Sequence, residues 1–148
     1  MNRYLIDTNI VIYTLNAKDK FRKVIDFIDR IYDDDQADIL YSVVVEAEIF
    51  SRKIAKEILK KIDLLLSEAR IVKIDSVIAR KAGEIRASGK ALGYNIKLPD
   101  ALIAATAIIE NAILVTHNQD DFFKIKNIEK LNIYDPMGKT APQPKAYM

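Results

Sequence analysis

Acidic residues in this sequence stand where short apolar segments end or where a helix-like segment begins. Asp7 directly follows the apolar-leaning residues 3–6, and Asp100 opens an alanine-rich run. A polar turn over residues 116–121 follows another apolar segment. Asp7 is equally suited to capping a helix, and a carboxylate in a first helical turn complements the helix dipole. Each acid therefore has a structural interpretation beside a chemical one.

Asp100 needs a partner if the run after it is helical. Ile103, Ala104 and Ala107 lie three, four and seven residues on, so Asp100 shares their apolar face. A lone buried carboxylate costs several kcal/mol or takes up a proton, and a metal ion or a basic group is the usual remedy.

A further acid is expected from the segment after residues 39–42. Glu46 and Glu48 both share a helical face with apolar residues, so periodicity does not separate them. If the strands are parallel, these acids meet at the carboxyl edge of the sheet. Clustered carboxylates repel one another unless a cation neutralises them, and Mg²⁺ or Mn²⁺ prefers such an all-oxygen set.

Such a site suits displacement at phosphorus. A bound divalent ion lowers the pKa of water, orients the phosphate and stabilises the leaving oxygen, so no nucleophilic side chain is required. His117 is therefore predicted to be a bystander. It is the only histidine and there is no cysteine, which excludes disulfides, thiolate metal sites and multi-histidine zinc centres.

The elements that would position these acids alternate between short apolar segments and helix-like segments. This alternation indicates an α/β fold, a three-layer α/β/α sandwich with a central, mainly parallel sheet of four to five strands. Predicted strands cover residues 3–6, 39–42, 71–74, 113–116 and 131–134. Predicted helices lie in residues 10–32 as a pair, after Ser42, over 52–68, from about Asp75 toward Gly89, and over 98–112.

The chain has 148 residues, with 23 Lys and Arg against 21 Asp and Glu and a formal net charge of +2. This length supports one core, and we predict a single domain over residues 1–135. Three of the four prolines fall in residues 136–148, which predicts an extended or disordered tail. No apolar run approaches the ~18–20 residues of a membrane span, so no membrane partner and a cytoplasmic location are expected. The near balance of charge leaves any nucleic-acid binding to local patches.

Four short motifs follow one another along the chain. They are Tyr4-Leu5-Ile6-Asp7-Thr8-Asn9, Ser42 with Glu48 six residues on, Leu98-Pro99-Asp100-Ala101-Leu102-Ile103-Ala104-Ala105-Thr106-Ala107, and Leu114-Val115-Thr116-His117-Asn118 with Asp121-Phe122. Together they resemble the motifs of PIN-domain ribonucleases, most closely the VapC-type toxins. The resemblance spans roughly residues 3–135.

The resemblance implies a PIN-like fold and Mg²⁺- or Mn²⁺-dependent cleavage of RNA. It implies an acidic metal-binding core of Asp7, Glu48 and Asp100, with Asn118 at the fourth ligand position and Asp121 as a nearby acid that assists catalysis. Many relatives have Asp where Asn118 stands, and a neutral ligand weakens a second metal site. The resemblance also implies a homodimer and inhibition by a small antitoxin whose segment occupies the crevice.

Other interpretations stay open at this point. One is a housekeeping PIN nuclease of RNA processing, and another is a module that binds RNA or a partner without cutting. A phosphotransfer domain with Asp7 as nucleophile is disfavoured, because Asn9 stands where a second acid is expected and no Gly-rich phosphate-binding loop is present.

Of two groups of basic residues, one is a candidate for contacts with RNA phosphates. The candidate group leads along a predicted helix toward the alanine-rich run and consists of Arg80, Lys81, Arg86, Lys90 and Lys97. The other is predicted to be no more than an exposed helix face and consists of Arg52, Lys53, Lys56, Lys60 and Lys61.

Overall fold

The apolar segments form a five-stranded sheet in the computed structural model, which describes residues 2–16 and 18–138. Neighbouring strands pair in parallel in the order β3-β2-β1-β4-β5, which confirms the predicted parallel sheet. The strands are β1 (Asn2–Ile6), β2 (Ala37–Ser42), β3 (Arg70–Val72), β4 (Ile113–Val115) and β5 (Ile133–Tyr134).

Helices connect the strands and cover the sheet. They are α1 (Thr8–Leu15), α2 (Arg22–Tyr32), α3 (Val43–Phe50), α4 (Lys56–Ser67), α5 (Ser76–Ala91), α6 (Leu98–Ile109) and α7 (Gln119–Lys126). Most contacts between them fall into two groups, α1 with α2, α3 and α4, and α5, α6 and α7 with one another, and α3 also contacts α6. Right-handed crossovers put these groups on opposite faces of the sheet. The predicted three-layer α/β/α sandwich is thus confirmed.

The helix predicted over residues 52–68 begins four residues later than expected. Helix α3 ends at Phe50, and α4 begins only at Lys56. Ala55 precedes α4 without making a side-chain cap, so no capping residue marks the start of this helix in the sequence. The intervening residues 51–55 are not helical.

The core extends over both faces of the sheet, and on one face the alanine-rich helix α6 packs against the central strands. Leu5 and Leu114, on the neighbouring strands β1 and β4, are inaccessible to solvent. Ala101, Ala104 and Ala105 of α6 are also fully buried. Because these side chains are small, α6 packs closely, and its first turn, which contains Asp100, is brought to the carboxyl edge of the sheet.

Charges at the opposite, amino edge of the sheet are paired. Arg3 and Arg70 each bridge Asp38 and Glu110, with N···O distances from 3.0 to 3.7 Å. Strands β1, β2 and β3 and the end of α6 are thereby linked by one closed ring of ion pairs. No single pair in such a partly exposed ring contributes much stability, but a network of four is more rigid than isolated pairs.

The predicted tail is described only in its first residues. Residues 136–138 turn back on β5, where the Gly138 N–H donates to the Asp135 carbonyl at 3.1 Å. Residues 139–148 lie outside the described ranges. None of the helices in residues 2–16 and 18–138 has the length and hydropathy needed to cross a membrane.

Candidate active site

Asp7 lies where the order of the sheet reverses. Strands β1 and β4 are neighbours in the sheet, and Ile6 pairs with Val115. The Asp7 N–H continues this pairing by donating to the Val115 carbonyl at 3.0 Å. In open parallel sheets the crevice beside such a reversal is the usual ligand site.

The Asp7 carboxylate is buried and held by three donors. Oδ1 accepts from the Thr8 N–H at 2.8 Å, so Asp7 also caps α1. Oδ2 accepts from the Thr116 hydroxyl at 2.7 Å and from the Asn9 amide at 3.3 Å. Burial raises the pKa of Asp7, and the Thr116 and Thr8 hydrogen bonds oppose that rise. The capping role and a role in the site therefore coexist in one side chain.

Three of the predicted acids, Asp7, Glu48 and Asp100, border one cavity of about 370 Å³ at this edge. Of the two glutamates that periodicity left open, Glu48 borders the cavity. Its Oε1 accepts from the Thr8 hydroxyl at 2.8 Å, which ties the end of α3 to the start of α1. The cavity is lined by Asp7, Thr8, Asn9, Ile12, Tyr13, Glu48, Arg52, Asp100 and Asn118.

Asp100 enters the cavity from the first turn of α6, where Pro99 occupies an early helical position. Burial raises the pKa of Asp100, the negative charges of Asp121, Asp7 and Glu48 raise it further, and the resulting pKa is about 6. Lys97 lowers the pKa of Asp100 but does not cancel these effects. Asp100 therefore sits in a region of negative potential that favours either a proton or a cation.

Asn118 and Asp121 differ in how they reach the site. The Asn118 N–H donates to Thr116 Oγ1 at 2.9 Å, and its side-chain amide donates to Asp121 Oδ2 at 3.1 Å. Asn118 borders the cavity, whereas Asp121 does not. Asp121 instead orients the Asn118 side chain and adds its charge to the field at Asp100.

The donor set fits a hard divalent cation in its chemistry but is not drawn tightly together. All the ligand atoms on offer are carboxylate or amide oxygens, which Mg²⁺ and Mn²⁺ prefer. Within residues 2–16 and 18–138, however, no three acidic or histidine side chains converge closely enough to enclose a metal ion. Retained water molecules or small rotations of the side chains would have to complete the coordination, as is common for Mg²⁺.

A second buried acid, Asp135, was not singled out by the sequence pattern. Its Oδ2 accepts from His117 Nδ1 at 2.8 Å and from the Gln119 amide at 2.9 Å, so it holds the residues on both sides of Asn118. The His117 side chain does not border the cavity. Asp135 directly follows β5, as Asp7 follows β1. The rule that functional residues lie at the carboxyl ends of parallel strands could therefore have identified Asp135 from the sequence.

The basic residues are distributed differently from the prediction. Lys81 forms ion pairs with Glu84 and Glu129. Arg86 Nε donates to the Ile96 carbonyl at 3.0 Å. These two side chains are therefore committed to the fold. Arg52, assigned from the sequence to an exposed helix face, instead lies in the non-helical connection after α3 and borders the cavity.

Replacing Thr116 by valine is expected to lower the free energy of unfolding by about 1–3 kcal/mol, although the two side chains have nearly the same shape. The change leaves Asp7 Oδ2 with the longer Asn9 contact alone and removes the acceptor of the Asn118 N–H. Urea denaturation measures the effect. Thr106→Val is the matched control, because Thr106 is equally buried but bonds only within α6. Equal losses in both variants would contradict a special role for Thr116.

Comparisons with known proteins agree with this architecture. The PIN domain family model matches residues 4–128. Ribonuclease VapC2 of Rickettsia felis is 31% identical over 130 residues, covering 84% of this chain and 93% of the relative. The crystal structure of VapBC2 from Rickettsia felis bound to a DNA fragment from their promoter matches with a TM-score of 0.70 and 29% identity, covering 90% of this chain and 98% of that one. A toxin-antitoxin complex from Klebsiella pneumoniae matches with a TM-score of 0.65 and 25% identity, covering 90% of this chain and 97% of that one.

Proposed function

Because this chain belongs to the PIN domain family, we propose that it is a metal-dependent endoribonuclease and the toxin component of a type II toxin–antitoxin pair. The observation that carries the proposal is the single cavity bordered by Asp7, Glu48, Asp100 and Asn118 at the carboxyl edge of the sheet. A ribonuclease relative that aligns with 84% of the chain supports RNA as the substrate.

These four residues would hold Mg²⁺ or Mn²⁺. Such an ion, when bound, supplies an activated water and stabilises negative charge on the leaving oxygen. The protein orients the side chains that would bind the ion. The Thr116 hydroxyl and the Thr8 N–H fix both oxygens of Asp7, the Thr8 hydroxyl fixes Glu48, and Asp121 orients Asn118. Side chains that are already fixed by hydrogen bonds lose less conformational freedom when they bind an ion.

The charge balance of the cavity supports the need for a cation. Asp100 is disfavoured as an anion by burial and by three neighbouring carboxylates. A divalent ion would convert this repulsion into attraction and would let a phosphate approach. Asn118 supplies one charge fewer than an aspartate would, and we therefore propose that one ion is bound more tightly than any second.

The proposed antitoxin would be a separate protein that docks beside the cavity. An apolar groove of about 430 Å³ adjoins the cavity and shares Ile12 and Arg52 with it. Val11, Ile49, Ile58 and Ile62 supply its apolar walls. A toxin-antitoxin complex and a VapBC complex among the structural relatives support such a partner, whose apolar segment would lie in the groove and extend toward the acids.

Purified protein is expected to cut RNA in Mg²⁺ or Mn²⁺ and to lose that activity in excess chelator, because the bound ion would supply the activated water that attacks the phosphorus. Gel analysis of one structured and one unstructured RNA measures cleavage. Restoring the metal after chelation is the control for irreversible damage. Cleavage that persists in chelator would rule out the metal-dependent mechanism, and binding without cleavage would favour the non-cutting module.

A further inference from the structure

Arg52 is the one cationic side chain that borders the acidic cavity within the described residues. It follows α3, where the Ser51 N–H bonds to the Ala47 carbonyl and the Arg52 N–H bonds to the Ile49 carbonyl at 3.2 Å. These bonds end the helix and leave the side chain of Arg52 exposed at the cavity.

The guanidinium of Arg52 has no ion-pair partner among residues 2–16 and 18–138. Glu48 lies four residues earlier, the spacing at which helical side chains often pair, yet it accepts a bond from Thr8 instead. Arg3 and Arg70, in contrast, each contact two carboxylates. Arg52 can therefore bind an anion from outside without giving up a contact in the fold.

A phosphate chain is the anion that suits this position. The three acids that border the cavity repel the negatively charged phosphates of RNA. A cation at the edge of the cavity offsets part of this repulsion and lowers the electrostatic barrier to RNA binding. The planar guanidinium fork binds two phosphate oxygens at once, which an ammonium group does not.

We propose that Arg52 binds a backbone phosphate of the RNA next to the phosphodiester held over Asp7, Glu48 and Asp100. This assignment rests on the proposed ribonuclease function and adds a substrate-binding residue to it. The contact is made in the bound substrate before the reaction, so it acts on RNA affinity rather than on the chemical step. Its removal weakens binding and reduces the dependence of binding on salt.

The experiment measures binding of a fluorescein-labelled single-stranded RNA of mixed sequence by anisotropy with Mg²⁺ present, at a temperature and over a time in which gel analysis shows that the RNA stays intact. Arg52→Ala is expected to raise Kd about tenfold and to reduce the slope of log K against log salt by about 0.7, the value for one phosphate on a single strand. Arg52→Lys is expected to recover part of the affinity and most of the slope, because it keeps the charge and loses the fork.

Lys56→Ala is the matched control, since Lys56 is exposed in the same basic run and does not border the cavity. It removes the same charge and is expected to change Kd less than about twofold. The proposal is overturned if both variants weaken binding equally, if Arg52→Ala binds like wild type, or if wild type does not bind RNA. An unchanged Kd in Arg52→Ala would indicate that Arg52 acts in the apolar groove, which it also lines, and hence that it contacts a protein partner. Failure of the ribonuclease function is scored separately, by wild-type cleavage in metal.

Discussion

Asp100→Asn is expected to reduce the rate constant of metal-dependent RNA cleavage by at least about 100-fold. The charges of three neighbouring carboxylates act on Asp100, and asparagine keeps its size while removing the negative charge that would hold a cation. Single-turnover cleavage with saturating protein isolates this rate constant from binding. The same variant should no longer arrest growth when its gene is induced in a bacterial host, if the protein is a toxin.

The loss of activity should come with a gain in stability, which distinguishes it from misfolding. The pKa of Asp100 is about 6 in the folded protein and near 3.8 in the unfolded chain. Burial and neighbouring charges thus penalise the ionised form, and the penalty is complete above pH 6 and absent below pH 3.8. Asp100→Asn removes it, so the melting temperature of the metal-free variant should exceed that of wild type at pH 7.5 and approach it at pH 4.

Asp63→Asn is the control for both measurements, because Asp63 is an exposed residue of α4 that does not border the cavity. It is expected to leave the cleavage rate within about twofold of wild type, since an exposed charge contributes little. Full activity in Asp100→Asn would remove Asp100 from the proposed site. Lower stability at pH 7.5 would mean that its carboxylate has a favourable partner, contrary to the raised pKa.

The layers of the fold were predictable because the apolar segments are short and buried on both faces. Leu5 and Leu114 belong to segments of only three to five residues, which are too short for helices. The longer segments between such strands show the spacing of apolar residues that is typical of helices. The start of α4 was not predictable, because Ala55 carries no capping side chain and the basic run around it continues the periodic pattern. Tertiary packing decides such a boundary.

The site was predictable to the extent that it depends on the carboxyl ends of strands. Asp7 and the turn containing Asn118 follow β1 and β4 directly, and the parallel order makes them neighbours. Glu48 could not be separated from Glu46 by period, because both lie beside apolar residues of α3. Arg52 was missed for the same reason that α4 was misplaced, since its position depends on where α3 ends.

The two edges of the sheet treat charge in opposite ways. At the amino edge Arg3 and Arg70 neutralise Asp38 and Glu110. At the carboxyl edge, within the described part of the chain, Asp7, Glu48 and Asp100 form no ion pair with a basic side chain. A fold able to pair acids so completely at one edge leaves them without ion pairs at the other, where the raised pKa values of Asp7 and Asp100 indicate a cost in stability. Binding a cation is the benefit that would offset this cost.

Mn²⁺ binding is expected to weaken about tenfold when the pH falls from 7 to 5. An ion binds the deprotonated carboxylate, and with a pKa of about 6 Asp100 is about 90% ionised at pH 7 and about 10% ionised at pH 5. The raised pKa of Asp7 makes the dependence steeper. An aspartate with the ordinary pKa of 3.8 would lose less than about a tenth of its ionised form between pH 7 and pH 5. Isothermal titration with Mn²⁺ alone measures Kd at each pH.

Proton release provides an independent check on the same binding event. At pH 6 about half of the Asp100 carboxyl groups are protonated in the free protein, so binding should release about half a proton or more. Repeating the titration in two buffers of different ionisation enthalpy counts these protons without any RNA. Asp100→Asn should bind Mn²⁺ more weakly and release fewer of them. A Kd that is constant from pH 5 to 7, with no proton released, would mean that Asp100 is not a ligand. The unpaired charge at this edge would then need another explanation.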